Sequence, residues 1–123
     1  MIDISNHLCI IPAHLMKGYL TPECCRYIPH GAIDIICSRK IILDQTPVTD
    51  IDGKRWSISM SSATKDETIK SYDGQEIYVG IVLTDGTVRI LATSGYIPRL
   101  SVTPYANAYA ISVSYEALKA IKY

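Results

Sequence analysis

Hydrophobic and polar positions alternate with a period of two along much of this chain, the mark of strands with one covered and one wet face. The clearest case runs from Glu76 to Ser94. Asp85-Gly86 suits a two-residue turn with positive φ angles. Setting Thr84 opposite Thr87 then pairs Leu83 with Val88, Ile81 with Ile90 and Val79 with Ala92. Those pairs share one face, so the turn and the apolar pattern agree on a β-hairpin. Arg55 to Ser61 repeats the alternation, with Trp56, Ile58 and Met60 on one side and Ser57, Ser59 and Ser61 on the other. Near the C-terminus Tyr109, Ile111, Val113 and Tyr115 share a face, a pattern that docks in a sheet rather than frays.

Weaker signals fill the rest. Ala32 to Cys37 and Lys40 to Leu43 read as short β-branched strands, with Ser38-Arg39 as either a tight turn or a bulge within one longer strand. Asp50 to Gly53 and Tyr72 to Gly74 are turns, Ser62 to Lys70 is a polar loop or short helix, and Arg99 to Thr103 is a strand between two prolines. Glu116 to Ile121 either adds a helical turn or extends the last strand. Residues 1–31 carry Pro12, Pro22, Pro29, Gly18 and Gly31, which allows a short strand at Leu8 to Ile11 and a helical turn at Ala13 to Lys17. The expected product is one all-β domain, a small antiparallel sandwich or barrel with at most one or two short helices. Its irregular segment is 1–31 and its β-rich body 32–123.

Composition narrows the function. With 12 Lys+Arg against 12 Asp+Glu, no basic excess points to nucleic acid or to an anionic membrane. The apolar fraction of 48% goes either into a large core or into an interface between subunits, and the limited interior of a small domain favours the interface. The first residues lack a basic n-region and the longest apolar run, Ile77 to Leu83, is far too short to span a bilayer. A cytoplasmic product is therefore expected, with incorporation into a virion compatible with the same features.

Candidate chemistry is sparse. Cys9, His14, Cys24, Cys25, His30 and Cys37 are zinc-capable, yet none forms the Cys-x₂₋₄-Cys knuckle that aims two thiolates at one ion. Scattered buried thiols are the competing explanation, and neither a metal nor another cofactor is expected. His30 follows Cys25 by five residues without any nucleophile-elbow pattern, and the glycines form no phosphate loop. Asp50/Asp52 and Asp66/Glu67 read as solvated turn carboxylates. Nine Tyr, one Trp and no Phe favour half-wet surfaces over dry cores. Trp56, Tyr78, Tyr96, Tyr105 and Tyr109 are the expected interface residues.

The run Tyr78 to Leu91, followed by Tyr96-Ile97-Pro98-Arg99-Leu100 and the alternating last strand, resembles small β-rich structural proteins encoded by prophages. The likeness is confined to the C-terminal half. It implies a non-enzymatic neck or tail component of a tailed phage, with no catalytic residues to carry over. The expectation is thus a structural protein that associates with itself or with other structural proteins. The alternatives are a β module that binds a small ligand or carbohydrate, and a zinc-supported small domain.

Overall fold

Two four-stranded antiparallel sheets face each other in the computed structural model, which describes residues 2–18, 25–93 and 95–123. The strands are β1 (Ile4–Ile11), β2 (Ile33–Ile36), β3 (Ile42–Asp50), β4 (Gly53–Thr64), β5 (Tyr78–Leu83), β6 (Val88–Ile90), β7 (Ser101–Tyr105) and β8 (Ala108–Ala117). The first sheet runs β2-β1-β5-β6 and the second β3-β4-β8-β7. The only helical pieces among the described residues are 3-10 turns at Ala13–Met16 and Glu67–Tyr72. The fold is an all-β sandwich.

The two sheets differ in how they are buried, and the sequence pattern says why. The central strands of the second sheet alternate, so Ile58, Met60, Ile111, Val113 and Tyr115 face inward while Ser57, Ser61, Ser112 and Ser114 stay exposed. The central strands of the first sheet are continuously apolar, at Leu8 to Ile11 and Val79 to Leu83, and are buried on both faces. Leu8, Ile10, Val79 and Ile81 meet the second sheet in the main core. On the opposite face Cys9, Ile11, Val82, Val88 and Ile90 form an outer core with Met16 and Cys25. The N-terminal third therefore does more than connect. It supplies an eight-residue strand in the middle of a sheet and a cover for that sheet's back. This second core takes up part of the apolar surplus.

The hairpin register is corrected. Val82 pairs with Val88, Ile81 with Arg89 and Gly80 with Ile90. Leu83 N–H donates to Thr87 O at 2.8 Å and Gly86 N–H to Leu83 O at 2.9 Å. The loop thus holds three residues, Thr84, Asp85 and Gly86, with Gly86 left-handed at φ 86°. One extra loop residue slips the return strand by one position, so Val88 and Ile90 point into the outer core instead of sharing a face with Ile81. Asp85 stabilises this longer loop, accepting from the Thr87 N–H at 3.0 Å and the Thr87 hydroxyl at 2.6 Å.

Other limits shift as well. The strand expected at Lys40 to Leu43 begins at Ile42 and runs on to Asp50, and the strand expected at Arg99 to Thr103 is Ser101–Tyr105. β4 continues through Ser62 to Thr64 before the 3-10 turn. Ser38-Arg39 is a corner between sheets: Cys37 bridges Thr64, and Ser38 N–H donates to Ala63 O at 2.8 Å. After Ala117 the chain leaves the sheet and crosses between the two sheets' edges. There the Gln45 side chain grips the Ile121 backbone, donating to its carbonyl at 3.0 Å and accepting its N–H at 2.6 Å. Arg89 Nε donates to Lys122 O at 2.8 Å from the other sheet.

Candidate interaction surface

Cross-strand registers assemble the outer face of the second sheet row by row. Ile42 lies opposite Ser61, Ser61 opposite Ser112, and Ser112 opposite Ser101. The next rows read Asp44, Ser59, Ser114 and then Thr46, Ser57, Glu116. Along the central strands this face carries Ser57, Ser59, Ser61 and Ala63 on β4, with Ala108, Ala110, Ser112 and Ser114 on β8. No charge interrupts it there. Solvated sheet faces ordinarily project charged side chains, and those charges are what the middle of a protein interface lacks. Charge begins at the margins: at one end Arg55 reaches Glu116 at 3.4 Å, Asp52 at 3.5 Å and Asp50 at 3.7 Å, and at the other Arg39 and Lys65 stand beside Ala63 and Ala110.

Two of the four sheet edges are occupied, and β2 is tied at its end. On β7 the Val102 N–H donates to the Asp73 carboxylate at 2.9 Å, and Pro104 has no N–H to offer. On β6 the Val88 N–H donates to Arg26 O at 2.8 Å and Tyr27 bridges Thr87. At the end of β2, Ile36 O accepts the Thr64 hydroxyl at 2.8 Å. β3 has β4 as its sheet neighbour on one side, and Asp44 and Pro47 lie within its nine residues. A charge and a proline are the usual guards against strand addition. The broad face is therefore a better docking surface than the edge.

The expected interface residues fall in different places. Trp56 and Tyr109 are half-buried against the main core, with the Lys70 ammonium 5.7 Å from the Tyr109 ring centroid. Tyr78 packs against the outer core and, with the exposed Tyr96, lines a recess of about 500 Å³. Glu76 and Arg99 sit in the same recess, 3.6 Å apart. Tyr105 is 63% exposed at the end of the serine-bearing face, under the Arg39 guanidinium at 5.9 Å. Of the five, Tyr78 and Tyr96 line one recess, and Trp56 and Tyr109 pack on one core.

The zinc-capable residues do not converge. Cys9 and Cys25 lie in the outer core and Cys37 in the main core, on opposite sides of the first sheet. His14 and His30 are exposed, and Cys24 lies outside the described residues. Among the described residues no three His, Cys, Asp or Glu side chains are placed to hold an ion. The reason is strand alternation, which sends thiols of neighbouring strands to different layers. Burial pushes the Cys9 thiol up to about 12, with the neighbouring Cys25 adding to it, and burial likewise raises Cys37. Thiols held neutral in this way are poor nucleophiles. Among the described residues no helix is long and apolar enough to cross a membrane.

Neither the serine rows nor Arg39 was singled out by sequence reasoning. Each strand's wet face is readable locally, but which faces lie side by side depends on pairings such as Ser59 with Ser114 across 55 positions. No family model, curated protein or solved structure matches the chain.

Proposed function

We propose that this protein is a non-enzymatic assembly component whose second sheet docks its outer face against copies of itself or against other structural proteins. The observation that supports this most is the charge-free outer stretch from Ser57 to Ala63 on β4 and from Ala108 to Ser114 on β8. Small serine and alanine side chains project little from it, so a partner surface approaches without displacing long side chains or desolvating a charge. A tailed-phage neck or tail, the setting implied by the resemblance, is an assembly of this kind.

The geometry also bounds the strength. Two strands spaced about 4.8 Å, each contributing about seven residues at about 3.4 Å, present a projected charge-free strip of roughly 230 Å². A standard interface buries about 800 Å² per partner. Contact through this face alone is thus weak and concentration-dependent, and tight association needs many copies or a second contact.

Sedimentation velocity over a wide concentration range tests the reading. Oligomers are expected to grow with concentration and to dissolve in Ser114→Lys, which places a charge mid-face. Because Ser114 is exposed, the variant's thermal midpoint should match the parent's. A protein that stays monomeric throughout and binds none of the structural proteins encoded beside it overturns the proposal. So does association that Ser114→Lys leaves intact.

A further inference from the structure

At one end of that face, sharing its Ala63, Ala108 and Ala110, a recess of about 340 Å³ opens between the β7–β8 turn and the Ser38-Arg39 corner. Arg39 and Lys65 line it, and neither makes an ion pair among the described residues, although the chain as a whole is charge-balanced. Tyr105 forms one wall and holds the guanidinium over its ring at 5.9 Å. Ser62 Oγ donates to Arg39 O at 2.9 Å, which fixes the backbone beneath that cation. The small apolar Ala63 and Ala110 line it too, together with the polar Ser38 and Asn107.

We propose that this recess binds an anionic saccharide, a sugar ring bearing a carboxylate or sulfate group. Two unneutralised cations select the anion. An aromatic wall and the alanine methyls accept the apolar side of a ring, and the serine hydroxyl and asparagine amide suit its hydroxyls. The volume lies near the lower end of small-molecule sites. An acidic peptide strand fits less well. The adjoining edge of β7 has its Val102 N–H held by Asp73 and a proline at 104, so it offers an added strand a broken ladder. A left-handed Ala106, at φ 52°, shapes the turn that closes the recess. A two-residue hairpin turn of this kind requires a positive φ at its first position.

Amide chemical-shift mapping on the full chain at low salt tests the inference, using glucuronic acid, its neutral counterpart glucose, acetate and a short acidic peptide. Glucuronic acid is expected to shift amides at Arg39, Lys65, Tyr105 and Asn107. It should bind about tenfold more tightly than glucose or acetate, the sum expected of exposed charge contacts and ring stacking. Arg39→Gln with Lys65→Gln should abolish that preference over glucose, and Tyr105→Ala should abolish the preference over acetate. Equal binding of glucose or acetate overturns the proposal, as do shifts confined elsewhere or an acidic peptide binding more tightly at the same amides. The mapping on the parent chain decides the matter even where a variant fails to fold.

Discussion

Replacing Gly80 by alanine probes the close approach of three strands at one point. An added Cβ would lie 2.5 Å from Val88 Cγ2 and 2.6 Å from Cys9 Sγ, with Ile90 Cδ1 at 3.3 Å. Both close neighbours are fully buried in the outer core, and valine is stiff at χ1, so neither yields easily. Overpacking of this kind costs about 1–3 kcal/mol. Against it stands a gain of about 0.4–1 kcal/mol, because alanine restricts the unfolded chain more than glycine does. The net expectation for Gly80→Ala is a loss of about 1–2 kcal/mol, read as a lower midpoint in urea denaturation at unchanged slope. A double-mutant cycle with Val88→Ala sharpens the test, because the clash requires Val88 and Gly80 on one face. In the register with Leu83 opposite Val88 those residues lie on opposite faces and coupling vanishes. The combination should therefore be more stable than the two single changes sum to, by at least about 0.5 kcal/mol. A Gly80→Ala protein as stable as the parent, or a cycle that closes additively, refutes both the close approach and the three-residue loop.

Other expectations follow from single sites. Ala106→Gly relieves left-handed strain of about 1–2 kcal/mol while adding about 0.4–1 kcal/mol of unfolded-state freedom, so a gain of up to about 1 kcal/mol is expected in thermal denaturation. Gln45→Ala removes both hydrogen bonds to Ile121 and should cost about 1–3 kcal/mol, with the Ile121 amide losing hydrogen-exchange protection first. Because Cys9 is held at about 12 in the fold against an ordinary 9.0, folded protein keeps its proton where unfolded chain has lost it. Stability present below pH 9 should accordingly fall as pH rises toward 12, and Cys9→Ala should flatten that part of the alkaline denaturation curve.

Much of the architecture was legible from local pattern. Strict alternation at Trp56, Ile58 and Met60, and again at Ile111, Val113 and Tyr115, revealed the inward faces of the second sheet. Turn residues marked Asp50 to Gly53 and Tyr72 to Gly74. Alternation sets the hairpin one residue out of register because both faces of β5 are apolar, so Val88 and Ile90 match Leu83 and Ile81 as readily as Val82 and Gly80. In a strand buried on both sides, alternation carries no information about which face is which. Asp85-Gly86 does occur in two-residue turns, but here the Leu83 N–H bonds to Thr87 O and Gly86 closes a longer loop. β1 was under-read for the same reason. Its continuous apolar run looked short, and prolines downstream suggested irregularity, while its partners β2 and β5 lie far along the chain. The surface features were least legible, since Arg39 meets Tyr105 only after two sheets have formed.

The central place of β1 sets the timetable of synthesis. Its second neighbour, β5, begins at Tyr78, 67 positions beyond Ile11. At roughly 5–20 residues per second, a ribosome takes roughly 3–13 seconds to deliver it. Throughout that wait Leu8 to Ile11 remain only half matched, sticky and available to neighbouring chains emerging from the same message. Cells making this protein at high levels should rely on holding chaperones, and slower growth temperatures should raise the yield of properly assembled molecules.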